Sequence, residues 1–271
     1  MKILFVGGGN MASAIIGGLI ATPDNGIAAA DITVAEPSEE QRTKLLRVFG
    51  IVAVPSLALT PPADMVVWAV KPQQFREAAA SSQAKLLGAL QLSVMAGVRS
   101  ADIARLSGSA RVVRAMPNTP ALIGKGIAGV FANAACSSQD KNLCALTLKA
   151  TGEVIWLERE EQLDAVTALS GSGPAYVFYF IEAMMQAAQE MGLSEQQGKQ
   201  LAIATFSGAA ELAQRANEPP ALLRERVTSK GGTTHAALTE LDNAQVKQAF
   251  VRALHAARER AVSLGDELGA V

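Results

Sequence analysis

Two stretches of this chain set glycine against a helix start, and each is suited to holding an anion. The first is "ILFVGGGNMASAI", where Gly7, Gly9 and Ala12 form G-x-G-x-x-A directly after a short apolar run. Gly7 permits a tight turn, Gly9 removes the Cβ that would block a diphosphate, and small Ala12 lets helix pack on strand. Gly8, Asn10 and Met11 complete this loop. The second stretch is "VTSKGGTTHAAL", residues 227 to 238, with Gly231 and Gly232 between Ser229 and the pair Thr233 and Thr234. A helix start leaves backbone donors unpaired, so such a loop offers N–H groups to an anion. A glycine turn and a helix cap without a ligand are the plainer readings of the two loops.

If the first anion is a dinucleotide, the residues at the ends of the neighbouring strands set its type. Glu36 closes the second strand, where an acid accepts hydrogen bonds from an unphosphorylated ribose. Ser38 and Arg42 follow and suit a 2′-phosphate instead, which leaves NADPH and NADH both open. "WAVKPQ" ends the fourth strand on the edge where such ligands lie, bringing in Ala69, Val70, Lys71 and Pro72. Lys71 is either a functional cation or a solvated residue ahead of proline.

These loops need a scaffold, and the pattern supplies one. Apolar β-rich runs (KILFV, DITVAE, IVAV, DMVVWAV, QLSVMAG, ARVVRAM) alternate with helical segments from the start to about residue 116. That alternation predicts βαβ units on a mostly parallel sheet, with "GIAGVFA" and "EVIWLE" extending it. "FREAAASSQAKLLGAL" predicts a helix over 75–90. After about residue 160 the strand signals stop and amphipathic helices follow, with a break expected at "SGSGP". The expected plan is α/β then all-α: a Rossmann-like dinucleotide-binding domain over 1–160 and a helical domain over 161–271. "AYVFYFIEAMMQAA" is apolar on more than one helical face, so a partner subunit is its expected cover.

The totals narrow the class. Lys+Arg is 24 and Asp+Glu is 25, a balance that argues against nucleic acid or an anionic membrane as main partner. Two cysteines and two histidines suit neither a disulfide framework nor a metal centre, and a reduced, cytoplasmic protein is expected. The N-terminal run superficially resembles a signal peptide, but the triple glycine and Asn10 interrupt it too early. No stretch offers the unbroken apolar length of a membrane span.

"GGGNMA", "AVKPQ", "RAMPNTP", "ALSGSGPAYVF" and "VTSKGGTTHAAL" together resemble the pyrroline-5-carboxylate reductases, in order and spacing, over nearly the whole chain. The resemblance implies reduction of the cyclic imine 1-pyrroline-5-carboxylate to L-proline by NADPH or NADH. It also implies composite active sites in a homodimer formed by the C-terminal helices, with dimers able to build a decamer of five. The second anion would then be the substrate carboxylate, held by Ser229, Gly231, Gly232, Thr233 and Thr234. Thr234 would hydrogen-bond the ring nitrogen, and Glu160, Ser172, Gly173 and Glu218 would lie near the substrate. Ser56, Ala96, Gly97, Pro117 and Asn118 would border the cofactor.

There are departures from the family's pattern. Lys230 replaces the proline of T-S-P-G-G, loosening a φ constraint and adding a cation. Glu36-Pro37 and Ser56 replace residues common at the cofactor ribose. Two other classes compete: a β-hydroxyacid dehydrogenase-like or other imine-reducing oxidoreductase, and a non-catalytic NAD(P)-sensing oligomer. The β-hydroxyacid dehydrogenases carry a lysine four residues beyond the glycine turn, and here that position is Val177.

Overall fold

The computed structural model describes residues 1–22, 26–80 and 86–269. An eight-stranded sheet runs β1 (Ile3–Val6), β2 (Ile32–Ala35), β3 (Ala53–Val54), β4 (Met65–Trp68), β5 (Leu90–Ser93), β6 (Val112–Met116), β7 (Gly126–Ala132) and β8 (Gly152–Trp156). Its spatial order is β3-β2-β1-β4-β5-β6-β7-β8. The first six strands pair in parallel. β7 runs antiparallel to β6, and β8 parallel to β7. The stretch from residue 117 to 125 holds a 3-10 turn at Thr119–Ile123 and is too short for a crossover helix, which forces the reversal. The chain direction across the sheet switches between β1 and β4, so ligands are expected off the carboxyl ends of those strands.

The connecting helices follow from local signals. α1 (Asn10–Ile20) buries Ala12, Ile15, Ile16 and Leu19, a single face at helical spacing. α2 (Glu39–Phe49) starts where Ser38 Oγ accepts the Gln41 N–H at 3.3 Å and stops on left-handed Gly50. α3 (Phe75–Ala80) and α4 (Ser100–Ser107) are short. α5 (Ser138–Lys149) opens on a Ser137–Asp140 capping box. Of the helix expected over 75–90, residues 81–85 lie outside the described residues, and Leu90 already belongs to β5.

Side chains of the central strands are buried on both faces, as a sheet covered by helices requires. Ile3 and Phe5 join the α1 side, while Leu4 and Val6 join the other with Trp68 and Phe75. Each such side chain contributes about 1.5–3 kcal/mol. Trp68 is wholly buried, donates its indole N–H to Gln91 Oε1 at 2.8 Å and meets the Phe75 ring edge-on. Trp156, on edge strand β8, is 41% exposed.

The chain divides into two compact units, Met1–Ser172 with Ala257–Val271, and Gly173–Ala256. Residues 161–172, expected to open the helical part, stay with the sheet for a packing reason. Leu163 and Ala168 are buried, and the Val166 side chain fills the space where Gly129 would carry a Cβ. The expected break at "SGSGP" is smaller than predicted. α6 (Gln162–Val166) passes into a π turn at Thr167–Gly171, closed by the Ser172 N–H on Thr167 O at 2.9 Å, and α7 (Gly173–Glu190) resumes at once.

The second unit holds α7, α8 (Glu195–Arg215), α9 (Pro220–Arg226) and α10 (Thr233–Asn243), with the start of α11 (Val246–Gly269). Tyr176 and Phe180 pack on Phe250, each with ring centroids 5.7 Å apart. Beyond that cluster little is covered. Phe178 and Tyr179 are 59% and 69% exposed, and Leu201 and Leu212 on α8 are exposed as well. A single subunit leaves these helices short of burial.

Candidate active site

The glycine loop sits between β1 and α1. Gly7 has φ +94°, and a Cβ there would come within 2.8 Å of the Ala69 carbonyl, so the fold itself demands glycine. Gly8 is less confined, its nearest neighbour being the end of the Leu45 side chain. Gly9 differs. It has φ −66°, which any residue adopts, and a Cβ there would meet nothing within 4 Å. The chain leaves open space over Gly9, on the side where a diphosphate would approach. The first helical bond runs from the Ser13 N–H to Gly9 O at 2.9 Å, so the amides of Asn10, Met11 and Ala12 precede the ladder.

Glu36 lies beside this loop. Its carboxylate accepts the Gly8 N–H and the Ser38 N–H, both at 2.8 Å. Arg42 Nη1 is held by the carbonyls of Glu36 and Pro37, at 2.9 and 2.6 Å. Gln41 donates its side-chain amide to Gly8 O. A cleft of about 470 Å³ opens over this sheet edge, with Gly7, Gly9, Glu36, Ser56, Val70 and Lys71 on its walls. Ala69 shares that wall, and Pro72 starts the 3-10 turn that follows. Gln74 and Glu77 also line the cleft and were not foreseen. Their signal was present, since they follow "AVKPQ" within two helical turns.

Across β1, on the β5 and β6 side, Ala96 and Gly97 are half-buried, and Gly97 (φ +78°) lies against Leu268. Pro117 is buried, and Asn118 Oδ1 accepts the Ile127 N–H at 3.0 Å, which fixes the entry to β7. Lys71 is exposed at the end of β4.

In the second unit, residues 229–232 form a tight turn, with the Gly232 N–H on Ser229 O at 3.0 Å and Gly231 at φ +75°. A positive φ at the third residue is the type II requirement, and proline suits the second position, where this chain has Lys230. Gly232 caps α10, and Thr233 and Thr234 are its first residues. Ser229 and Thr233 are exposed, and Thr234 is half-buried. No side chain caps this helix start, so its amides remain available to a ligand.

The two expected carboxylates are engaged within their own units. Glu160 accepts from the Ser100 N–H at 2.7 Å, from Ser100 Oγ at 2.5 Å and from Arg114 at 2.7 Å. Burial alone would raise its carboxyl, but the hydrogen bonds from Ser100 and Arg114 outweigh that and lower it. Burial likewise pulls the Arg114 guanidinium down, against Glu160. Beside this pair Arg99 binds Asp164 at 3.1 Å. Glu218 forms a two-pronged ion pair with Arg226, at 2.5 and 2.6 Å. Ser172 and Gly173 stand where the π turn gives way to α7.

A doubly wound sheet with a glycine loop, an acid after β2 and an open cleft at the switch point defines a nicotinamide-dinucleotide-dependent oxidoreductase. Comparison with known proteins agrees. Residues 160–264 match the pyrroline-5-carboxylate reductase dimerisation family, and residues 2–97 match the family described as NADP oxidoreductase coenzyme F420-dependent. The chain is 42% identical to the pyrroline-5-carboxylate reductase of Pseudomonas aeruginosa, over 99% of this chain and 98% of that one. It is 38% identical to that of Haemophilus influenzae, over 95% of each. A solved pyrroline-5-carboxylate reductase from Coxiella burnetii superposes with TM-score 0.88 at 38% identity, covering 97% of this chain and 98% of that one. The Plasmodium falciparum enzyme, solved with NADP bound, gives 0.85 at 28% identity, over 98% of each. The chain belongs to the pyrroline-5-carboxylate reductase family.

Its dimerisation domain makes it a homodimer. Among the described residues no group of His, Cys, Asp and Glu is arranged to hold a metal, and no helix is long and apolar enough to cross a membrane.

Proposed function

We propose that this chain reduces 1-pyrroline-5-carboxylate to L-proline, with the β1–α1 loop holding NADPH or NADH and the Ser229–Thr234 turn holding the substrate carboxylate. The observation that carries the reading is the open space over Gly9: glycine there serves no neighbour within the protein. When bound, the reduced nicotinamide supplies hydride to the imine carbon C5. An imine nitrogen is basic enough to be protonated near neutral pH, so the site needs orientation more than a strong acid. The Thr234 hydroxyl orients the ring nitrogen. The amides ahead of α10 and the Ser229 and Thr233 hydroxyls fix the carboxylate, and positioning of that kind lowers the barrier.

Gly8, Asn10, Met11 and Ala12 belong to the diphosphate cradle, Ser38 and Ser56 to the ribose, and Ala69 to Pro72, Ala96, Gly97, Pro117 and Asn118 to the nicotinamide half. Lys71 adds a cation to the cleft wall. Ser172, Gly173 and Glu218 complete the substrate region, Glu218 through its hold on Arg226. Glu160 acts there indirectly, by fixing the start of α4. The nucleotide-binding function occupies residues 1–160 and the dimerisation function 161–271, with five dimers building a decamer. A cytoplasmic location fits the two free thiols, Cys136 and Cys144. The test is oxidation of NADPH or NADH on adding 1-pyrroline-5-carboxylate, with proline as product; no oxidation with either nucleotide overturns the reading.

A further inference from the structure

We infer that the adenosine end of the cleft is built for an unphosphorylated ribose, so that this chain holds NADH more tightly than NADPH, with Glu36 as the determinant. The inference rests on the dinucleotide reading above and deepens it.

Three observations converge on the end of β2. Glu36 is fixed by two backbone donors, the Gly8 N–H and the Ser38 N–H, both at 2.8 Å. A carboxylate offers about four lone-pair sites. Those two bonds leave acceptor capacity for ribose hydroxyls, while the negative charge stays on the cleft wall. A 2′-phosphate placed beside it would meet like charge.

The groups that would otherwise receive a phosphate are partly engaged elsewhere. The Ser38 amide, a natural phosphate donor ahead of α2, is turned onto Glu36. The Ser38 hydroxyl oxygen accepts the Gln41 N–H as the helix cap. Arg42, the nearest cation in sequence, places Nη1 on the carbonyls of Glu36 and Pro37.

The surrounding charge has the same sign. Glu39 and Glu40 occupy the first turn of α2, where they satisfy its dipole in place of an external anion. Glu77 adds a further carboxylate to the cleft. Lys71 is the cation on that wall, on the loop after β4, and β4 is separated from β2 by β1.

Calorimetric titration of the intact protein with ADP-ribose and 2′-phospho-ADP-ribose reads this preference without turnover, and NADH and NADPH repeat it with the whole nucleotide. The unphosphorylated member of each pair should bind about tenfold tighter or more, the low end of what a like-charge contact costs. Glu36→Gln should bring the ratio within about threefold, mainly by tightening the phosphorylated member. Glu36→Ser, which also removes the bulk, should do the same or reverse it, and circular dichroism confirms that each variant is folded. Equal or tighter binding of the phosphorylated member by the unaltered protein overturns the inference, as does a ratio that neither substitution moves. If neither nucleotide binds, the dinucleotide reading itself fails, an outcome separate from a wrong preference.

Discussion

Arg114, on a central strand and 4% exposed, meets the Glu160 carboxylate at 2.7 Å, and the other oxygen of that carboxylate takes the Ser100 hydroxyl. Strand β6, the start of α4 and the approach to α6 are thereby tied by one acid. Removing one partner of a buried pair leaves the other charge without compensation, and here Arg114 Nε already has no partner among the described residues.

Glu160→Gln should therefore destabilise the protein by about 3 kcal/mol at neutral pH. The sign of the pH dependence follows from the lowered carboxyl. A group depressed on folding contributes above its unfolded value, near 4.3, and the contribution fades as pH falls through the folded value. Thermal melting of both proteins should show a Tm gap at pH 7 that narrows progressively as pH falls below about 4.3. A constant gap would mean that Glu160 acts through packing alone.

Gly9→Val should abolish nucleotide binding, raising Kd about 100-fold or more, because the side chain enters the space kept for the diphosphate. Since a Cβ there meets no protein atom, Tm should stay within a few degrees of the parent's. Fluorescence titration with NADH and a melting curve check both halves of this prediction.

Thr234→Ala should lower kcat by about 10- to 100-fold while nucleotide affinity is unchanged. Thr234 lies in the first turn of α10, in a different compact unit from the glycine loop, so its loss does not disturb the cradle. Steady-state kinetics beside a binding titration separate the two effects; unchanged kcat removes Thr234 from the chemistry.

Light scattering on the intact chain should give a dimer or a multiple of one. Phe178→Glu should shift it toward monomer, since a charge would replace an aromatic ring that is 59% exposed within one subunit. Retention of the parent mass would place the dimer contact on another face.

Much of this architecture was legible because it is written locally. The glycine loop, the Ser38 cap with its Gly50 stop and the Ser194–Gln197 capping box each lie within a few residues of sequence. So does the turn at Gly231. What was missed depends on distant partners. Nothing near Glu160 announces Arg114, which is 46 residues away, so their ion pair was not foreseen. The last turns of α11 read as part of a helical domain, whereas Gly265 lies against the Arg99 guanidinium in the first unit. The π turn at Thr167–Gly171 escaped because glycines flanking serine look like a break, while the helix accommodates them by widening.

The two indoles of this chain make it a self-reporting molecule. Trp68, sealed in the core with its N–H on Gln91, emits from a dry site three residues ahead of Lys71, whereas Trp156 faces solvent from the sheet's edge. Iodide will quench the second and spare the first. Steady emission thus follows core melting and edge exposure as separate signals from the native chain, with no dye attached.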